Sequence, residues 1–307
     1  MSHPKVLVLL AAFNGGKWIR EQLDSIVSQV GVTVHVVVND DGSTDDTREI
    51  VSGYAATSLV TLLPSVTRSG SAAQNFFFMI RETPAGDFDF IALSDQDDVW
   101  HADKLARGAQ ALSAGNAVGH SSATAAVWSD NRQRTLTQVG KPTESDFLFE
   151  GAGQGCTFIL RADFYERVRK FFRAHEELTR RIHYHDWAIY CLARAWNGLW
   201  HFDSQPSMRY RQHGANDTGA RSSLAGVTKR IALIRDGWYV TQIRAMVEIA
   251  FTANPRNPVV AQWRTMLAES RRGIGARLRK TGFLARGGRR KRIDTAVLVF
   301  AALAGWI

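Results

Sequence analysis

Phe90-Ile91-Ala92-Leu93-Ser94 runs directly into Asp95-Gln96-Asp97-Asp98, an apolar stretch of strand length that ends in three carboxylates within four residues. A strand covered on both faces cannot carry adjacent acids in its interior, so these acids belong at its C-terminal mouth. In an open α/β sheet, that mouth is where ligands bind. Clustered carboxylates repel one another unless a cation or a bound proton relieves them. Two readings stand side by side. One is a hard divalent metal that holds a phosphate-bearing substrate. The other is a solvated turn that gives residues 102–113, a helical pattern, an acidic N-terminus.

The preceding residues set the fold class. Lys5–Ala12 is a continuous apolar run, as in a parallel strand buried on both faces. Only Lys5 stands before its apolar core and a polar turn follows, so it reads as a strand rather than a signal segment. Phe13-Asn14-Gly15-Gly16 is turn chemistry, and 17–30 then places Ile19, Leu23, Ile26, Val27 and Val30 on one helical stripe. A second, β-branched strand at 33–38 ends in Asn39-Asp40-Asp41-Gly42-Ser43, and a third strand-like run follows at 59–63. This alternation is the grammar of a parallel βαβ sheet. Asp40 and Asp41 form a second acidic strand end, able to accept the imide N–H of a uracil or thymine or a ribose hydroxyl. Alone it would read as a capping loop, but two such ends in one parallel sheet can face the same crevice. No G-x-G-x-x-G follows the first strand, which argues against a dinucleotide dehydrogenase.

Further along, 117–127 reads as a strand and 129–145 as a polar loop. Gly151, Gly153 and Gly155 then lead into an apolar strand. Phe76, Phe77 and Phe78 read as core. Asp186, in His185-Asp186-Trp187, opens a largely apolar helix, where a carboxylate serves either as a helix cap or as a tuned proton acceptor. Short strands at 199–202 and 207–211 lead to Arg211-Gln212-His213, and helical periodicity returns over 224–251 and 259–278.

Charge is concentrated at the end of the chain. The net charge is +9, and residues 271–292 hold ten Lys and Arg without one acid, leaving the remainder near neutral. Such a segment seeks phosphates of lipid head groups or nucleic acid. An apolar run, 293–307, follows it and is too short to span a bilayer. Together they predict a removable tail that binds an anionic membrane surface, with packing into the core or an interface as the competing reading. Two cysteines, Cys156 and Cys191, in apolar surroundings fit a reducing compartment and buried thiols.

The run 11–29, Asp40-Asp41-Gly42-Ser43 and Asp95-Gln96-Asp97-Asp98-Val99-Trp100 resemble glycosyltransferase family two, most nearly its bacterial rhamnosyltransferase-type members. The resemblance covers 5–219. It implies a GT-A fold, a mostly parallel α/β sheet flanked by helices over 1–220, with 221–307 as a helical, basic region. It further implies a dTDP- or UDP-linked sugar donor, a glycan or polyprenyl-linked acceptor, Mn2+ or Mg2+, and inversion at the anomeric carbon. By the same resemblance Asp40 holds the base, Asp41 supports the nucleotide site, and Asp95 and Asp97 form the DXD motif with His213 as a third metal ligand. Phe13, Asn14, Arg68, Asn75, Gln96 and Arg211 would complete the donor side. Gly155, Cys156, Thr157 and Trp187 would wall the sugar and acceptor, and Asp186 would be the catalytic base. The expected location is the cytoplasmic face of the cell membrane, with no nucleic-acid partner. A sugar-phosphate nucleotidyltransferase is the second enzyme reading, although Phe13-Asn14-Gly15-Gly16-Lys17 makes a poor phosphate loop. A nucleic-acid-binding protein using 271–292 is the third.

Overall fold

The apolar run Lys5–Ala12 forms β1, buried at every position but its first. The computed structural model describes residues 3–64, 68–137, 141–213, 231–269 and 273–307. The chain divides into two units. The first comprises Met1–Gln138, Gly153–Thr179 and Leu199–Gly219; the second comprises Val139–Ala152, Arg180–Gly198 and Ala220–Ile307. The last break falls next to the sequence boundary at 220, but two earlier segments also belong to the second unit.

The first unit contains the sheet. Strand β1 lies between β2 (Thr33–Asp40) and β4 (Phe90–Ser94), and β2 also pairs with β3 (Val60–Leu62), all in parallel. Strand β4 joins antiparallel to β8 (Ile159–Arg161), and β8 joins antiparallel to β6 (Ala117–Val127). The long β9 (Leu199–Arg211) runs parallel to β6, with register shifts, and pairs antiparallel with β5 (Val99–Trp100). Most laddered residues are therefore in parallel pairs. Helices α1 (Ile19–Val27), α2 (Thr47–Ala55), α3 (Ala72–Glu82), α4 (Lys104–Ala114), α5 (Ala162–Ala174) and α6 (Glu176–Thr179) complete the unit.

Three local expectations change. Helix α1 buries Ile19, Leu23 and Ile26 but ends at Val27, so Val30 lies beyond the stripe and is exposed. The polar loop 129–145 contains β7 (Gln133–Leu136), an exposed strand held antiparallel to β6 by its backbone. The two short strands after 198 are one, β9, whose exposed middle at Ser204 and Gln205 hides its continuity.

The second unit is helical among its described residues: a 3-10 turn at Asp146–Leu148, then α7 (His185–Ala195), α8 (Trp238–Ala253), α9 (Pro258–Ala268), α10 (Ile274–Ala285) and α11 (Arg292–Leu303). Helix α9 starts where Asn257 accepts from Val259 N and Val260 N, with Pro258 set just inside the cap. Phe283 of α10 packs its ring against Trp263 at 4.9 Å, and Trp263 meets Phe149 at 5.0 Å.

This packing corrects the expectation of a removable tail. Lys280 is buried with its ammonium 3.3 Å from the Ile307 carbonyl, and the Arg290 side chain is only 4% exposed. Part of the basic segment belongs to the core, because acids elsewhere in the second unit receive its charge. The stretch 224–230 and Arg271 and Arg272 lie outside the described residues. No helix among the described residues is long and apolar enough to cross a membrane.

Candidate active site

The parallel register sets the site. Ala12 pairs with Asp40 and Leu10 with Ser94, so the ends of β2, β1 and β4 open on one edge. Both acidic strand ends therefore flank Phe13, the residue that follows β1. Asp40 is the last residue of β2 and is buried; its carboxylate accepts from Ser43 N at 3.2 Å and from the Ser43 hydroxyl, with Arg48 3.7 Å away. Asp41 accepts from Ser69 N and Gly70 N at 2.6 and 3.2 Å, which holds the Arg68 loop over the strand ends. The Arg68 guanidinium lies 4.1 Å from the centre of the Phe13 ring.

The turn after β1 is tied to the same acids. Asn14 N donates to Ser43 Oγ at 2.8 Å, and Asn14 Oδ1 accepts from Thr44 N at 2.8 Å. Gln96, between Asp95 and Asp97, accepts from Phe13 N at 2.7 Å and donates to Phe13 O at 2.8 Å. A Cβ on Gly15 would sit 2.2 Å from Gln96 Oε1, so only glycine admits this latch. Asn75 is buried, with Oδ1 accepting from Asn39 Nδ2 at 2.8 Å and Nδ2 near the carbonyls of Ala12 and Asn39. Its amide joins the ends of β1 and β2 rather than facing the crevice.

The acids after β4 are not a solvated turn. Asp97 and Asp98 are buried, β5 follows them, and α4 starts only at Lys104. Asp97 Oδ2 lies 2.7 Å from His213 Nε2, and the His213 imidazole stacks on Trp18 with centroids 4.1 Å apart. Arg211 pairs with Glu21 at 2.6 Å and donates from Nε to the Asp97 carbonyl at 3.1 Å. That position makes it a brace of the acidic loop as well as a cation beside it.

Behind the loop lies a group that the sequence did not reveal. Burial, with Asp97 and Asp95 alongside, pushes the Asp98 carboxyl well above the ordinary range. Lys104 is fully buried, its Nζ 2.5 Å from the Cys156 carbonyl and 3.2 Å from the centre of the Trp100 ring. Burial lowers its pKa to about 7. The signal for Lys104 was its place on the apolar stripe of α4 with Leu105, Ala109 and Leu112. Gly155, Cys156 and Thr157 form a buried 3-10 turn there, with burial raising the Cys156 thiol and Thr157 Oγ1 donating to Gln154 O at 2.7 Å.

Two donor sets could hold a cation. Ligating atoms of Asp95, Asp98 and Cys156 lie within 4.8 Å of one another. A soft, buried sulfur is a poor match for a hard ion. The Asp97 oxygen and His213 nitrogen, 2.7 Å apart, fit better. Adjacent ligands of a small octahedral ion with bonds of about 2.1 Å stand about 3 Å apart, and imidazole with carboxylate suits a divalent ion.

Asp186 and Trp187 belong to the second unit. Asp186 lies in the first turn of α7 and accepts from Trp187 N at 2.6 Å. The Trp187 indole is buried, donates to Phe147 O at 2.9 Å and stacks on Tyr239. Burial lowers the pKa of the neighbouring His185 to about 3.

Comparison with known proteins places this geometry. The profile of the glycosyl transferase family 2 domain matches residues 7–177. A dTDP-rhamnosyl transferase, RfbG of Shigella flexneri, is 36% identical over 251 residues, 80% of this chain and 87% of that protein. Among solved structures, TarS 1–349 of S. aureus in complex with UDP superposes with a TM-score of 0.56 at 15% identity, covering 98% of this chain and 89% of that one. The mannosyltransferase PcManGT of Pyrobaculum calidifontis, in complex with GDP-Man and Mn2+, gives 0.52 at 17% identity, covering 99% and 88%. At such identities the likeness shows the fold, a GT-A arrangement of a sheet flanked by helices.

Proposed function

Because the chain belongs to glycosyl transferase family 2 and is a glycosyltransferase, we propose that it moves rhamnose from a dTDP-linked donor to a hydroxyl of a glycan or polyprenyl-linked acceptor in surface-polysaccharide synthesis. The observation that carries this reading is the shared mouth of β2, β1 and β4, where the acidic ends at Asp40-Asp41 and at Asp95 to Asp97 open on one edge on either side of β1. The name of the rhamnosyl relative supports the sugar.

In this reading Asp40 accepts from the base or ribose, and Arg68, resting on Phe13, faces the diphosphate. Asp97 and His213, with Asp95, would hold Mn2+ or Mg2+, which when bound supplies positive charge to the departing diphosphate. Asp186 takes the proton of the acceptor hydroxyl. The hydroxyl oxygen bonds to the anomeric carbon on the face opposite the leaving group, the bond to the diphosphate oxygen breaks, and configuration inverts without a covalent enzyme intermediate. Incubation with a panel of nucleotide sugars, with and without manganese, tests the donor. Slow manganese-dependent release of dTDP from dTDP-rhamnose is the expected result, and release from other sugars alone would reassign it.

Attachment to the inner face of the membrane is part of the same proposal. Helix α10 exposes Ile274 and Leu278, 74% and 59%, and α11 exposes Ile293 and Phe300, 65% and 58%. Arg286, Lys291 and Arg292 are exposed beside them. Apolar side chains flanked by cations suit an anionic lipid surface. Ile293→Asp with Phe300→Asp should abolish sedimentation with anionic liposomes and leave donor hydrolysis intact. Undiminished sedimentation would remove this surface from the account.

A further inference from the structure

Within the second unit, the end of the chain is tied to the helix that carries Asp186 by buried ion pairs. Asp146 has no exposed surface, and its carboxylate accepts from Tyr190 Oη at 2.8 Å, Arg194 Nη1 at 3.1 Å and Arg290 Nη1 at 2.9 Å. Glu150 accepts from Arg290 N at 2.5 Å and from Nε and Nη2 of Arg289 at 3.2 Å each. Arg290 Nη2 also donates to the Gly151 carbonyl at 2.6 Å. One guanidinium thus grips both ends of the segment 146–151.

That segment lies against the start of α7. Trp187 donates its indole N–H to Phe147 O, and a Cβ on Gly151 would stand 3.3 Å from Trp187 Cα and 3.5 Å from Trp187 N. Trp187 N donates to the Asp186 carboxylate at 2.6 Å. We propose that Arg290 is a positioning residue for sugar transfer, acting through the 146–151 segment to fix the Asp186 carboxylate. The inference rests on the reading of Asp186 as the base. It assigns a catalytic consequence to a tail residue whose charge otherwise suggests a surface role.

Arg290→Lys keeps the charge and the pairing with Asp146 but cannot also reach the Gly151 carbonyl. Gly151→Ala instead presses the same segment against the Trp187 backbone without touching any charge. The test measures transfer kinetics and thermal unfolding of the full chain for both variants, alone and combined with Asp186→Asn. Each single variant should unfold cooperatively and lose about tenfold to a hundredfold in kcat, the usual cost of a small misplacement, with donor KM within about twofold. Placed on Asp186→Asn, each should cause no further loss, because residues that act through one group are not additive. Full additivity in that background, an unchanged kcat, or loss of folding in both variants overturns the proposal. Near wild-type transfer by Asp186→Asn alone instead overturns the reading of the base, so the two failures are distinguishable.

Discussion

Asp98 and Asp146 are both carboxyls with no exposed surface, one at the mouth of the sheet and the other in the helical unit. Asp146 meets two arginines and a tyrosine hydroxyl. Asp98 takes Arg211 N on one oxygen at 3.3 Å, while its other oxygen has no nitrogen or oxygen donor among the described residues. Beside it stand Asp95 and Asp97, whose charge adds to burial in raising its pKa. Buried acids saturated by arginine behave as scaffold, since their charges are already balanced. A buried group of acids with too few cations takes up protons or a metal, and that imbalance marks a site.

The largest expected effect tests the active side of this contrast. Asp97→Asn should weaken manganese-dependent binding of a nucleoside diphosphate at least about a hundredfold, read by calorimetry, with an unchanged circular dichroism spectrum. Unchanged affinity would make Asp97 scaffold of the same kind as Asp146. On the other side, Asp146→Asn strands Arg194 and Arg290 and should lower unfolding stability by about 3–5 kcal/mol, measured by denaturant titration.

Asp98→Asn, which mimics the protonated acid, should shift stability by less than about 1 kcal/mol. A loss as large as that of Asp146→Asn would show that Asp98 is ionised and paired. His185 supplies an intermediate case. Its pKa is lowered to about 3 by burial, from an unfolded value near 6.5, so the unfolded chain binds the extra proton between these values. Stability therefore rises with pH through that window and falls by about 1.4 kcal/mol per unit as pH drops. His185→Gln should flatten this slope in melts taken from pH 6.5 down to about 4.

The sequence carried the sheet's interior most faithfully. Lys5–Ala12 and the strand at 117–127 appear with the expected bounds; for the first, an apolar run buried on both faces leaves no choice of register. It carried β7 and the middle of β9 poorly, since exposed strands are held by backbone bonds that polar side chains do not announce. The acids of the site were legible as a group, but that Asp98 is the fully buried one depends on the fold around it, with Cys156 distant in the chain and Lys104 hidden on a helix face. The tail was misread for a related reason. Ten cations in twenty-two residues look solvated until partners are known, and Asp146 and Glu150 lie some 140 residues away from Arg290. Composition records charge but not who answers it.

The side chain of Gln96 behaves like one more peptide group. Its amide accepts from and donates to Phe13 as a neighbouring strand would, so the β1–β4 ladder in effect continues one step past Ser94 through a side chain. The residue between Asp95 and Asp97 is therefore a mechanical coupling and not a spacer. A load applied at either acid is delivered to the backbone of Phe13, and with it to the ring on which Arg68 rests. The acidic loop after β4 and the turn after β1 are thereby joined into one lever, whose stiffness is set by a single amide and by the glycine that makes room for it.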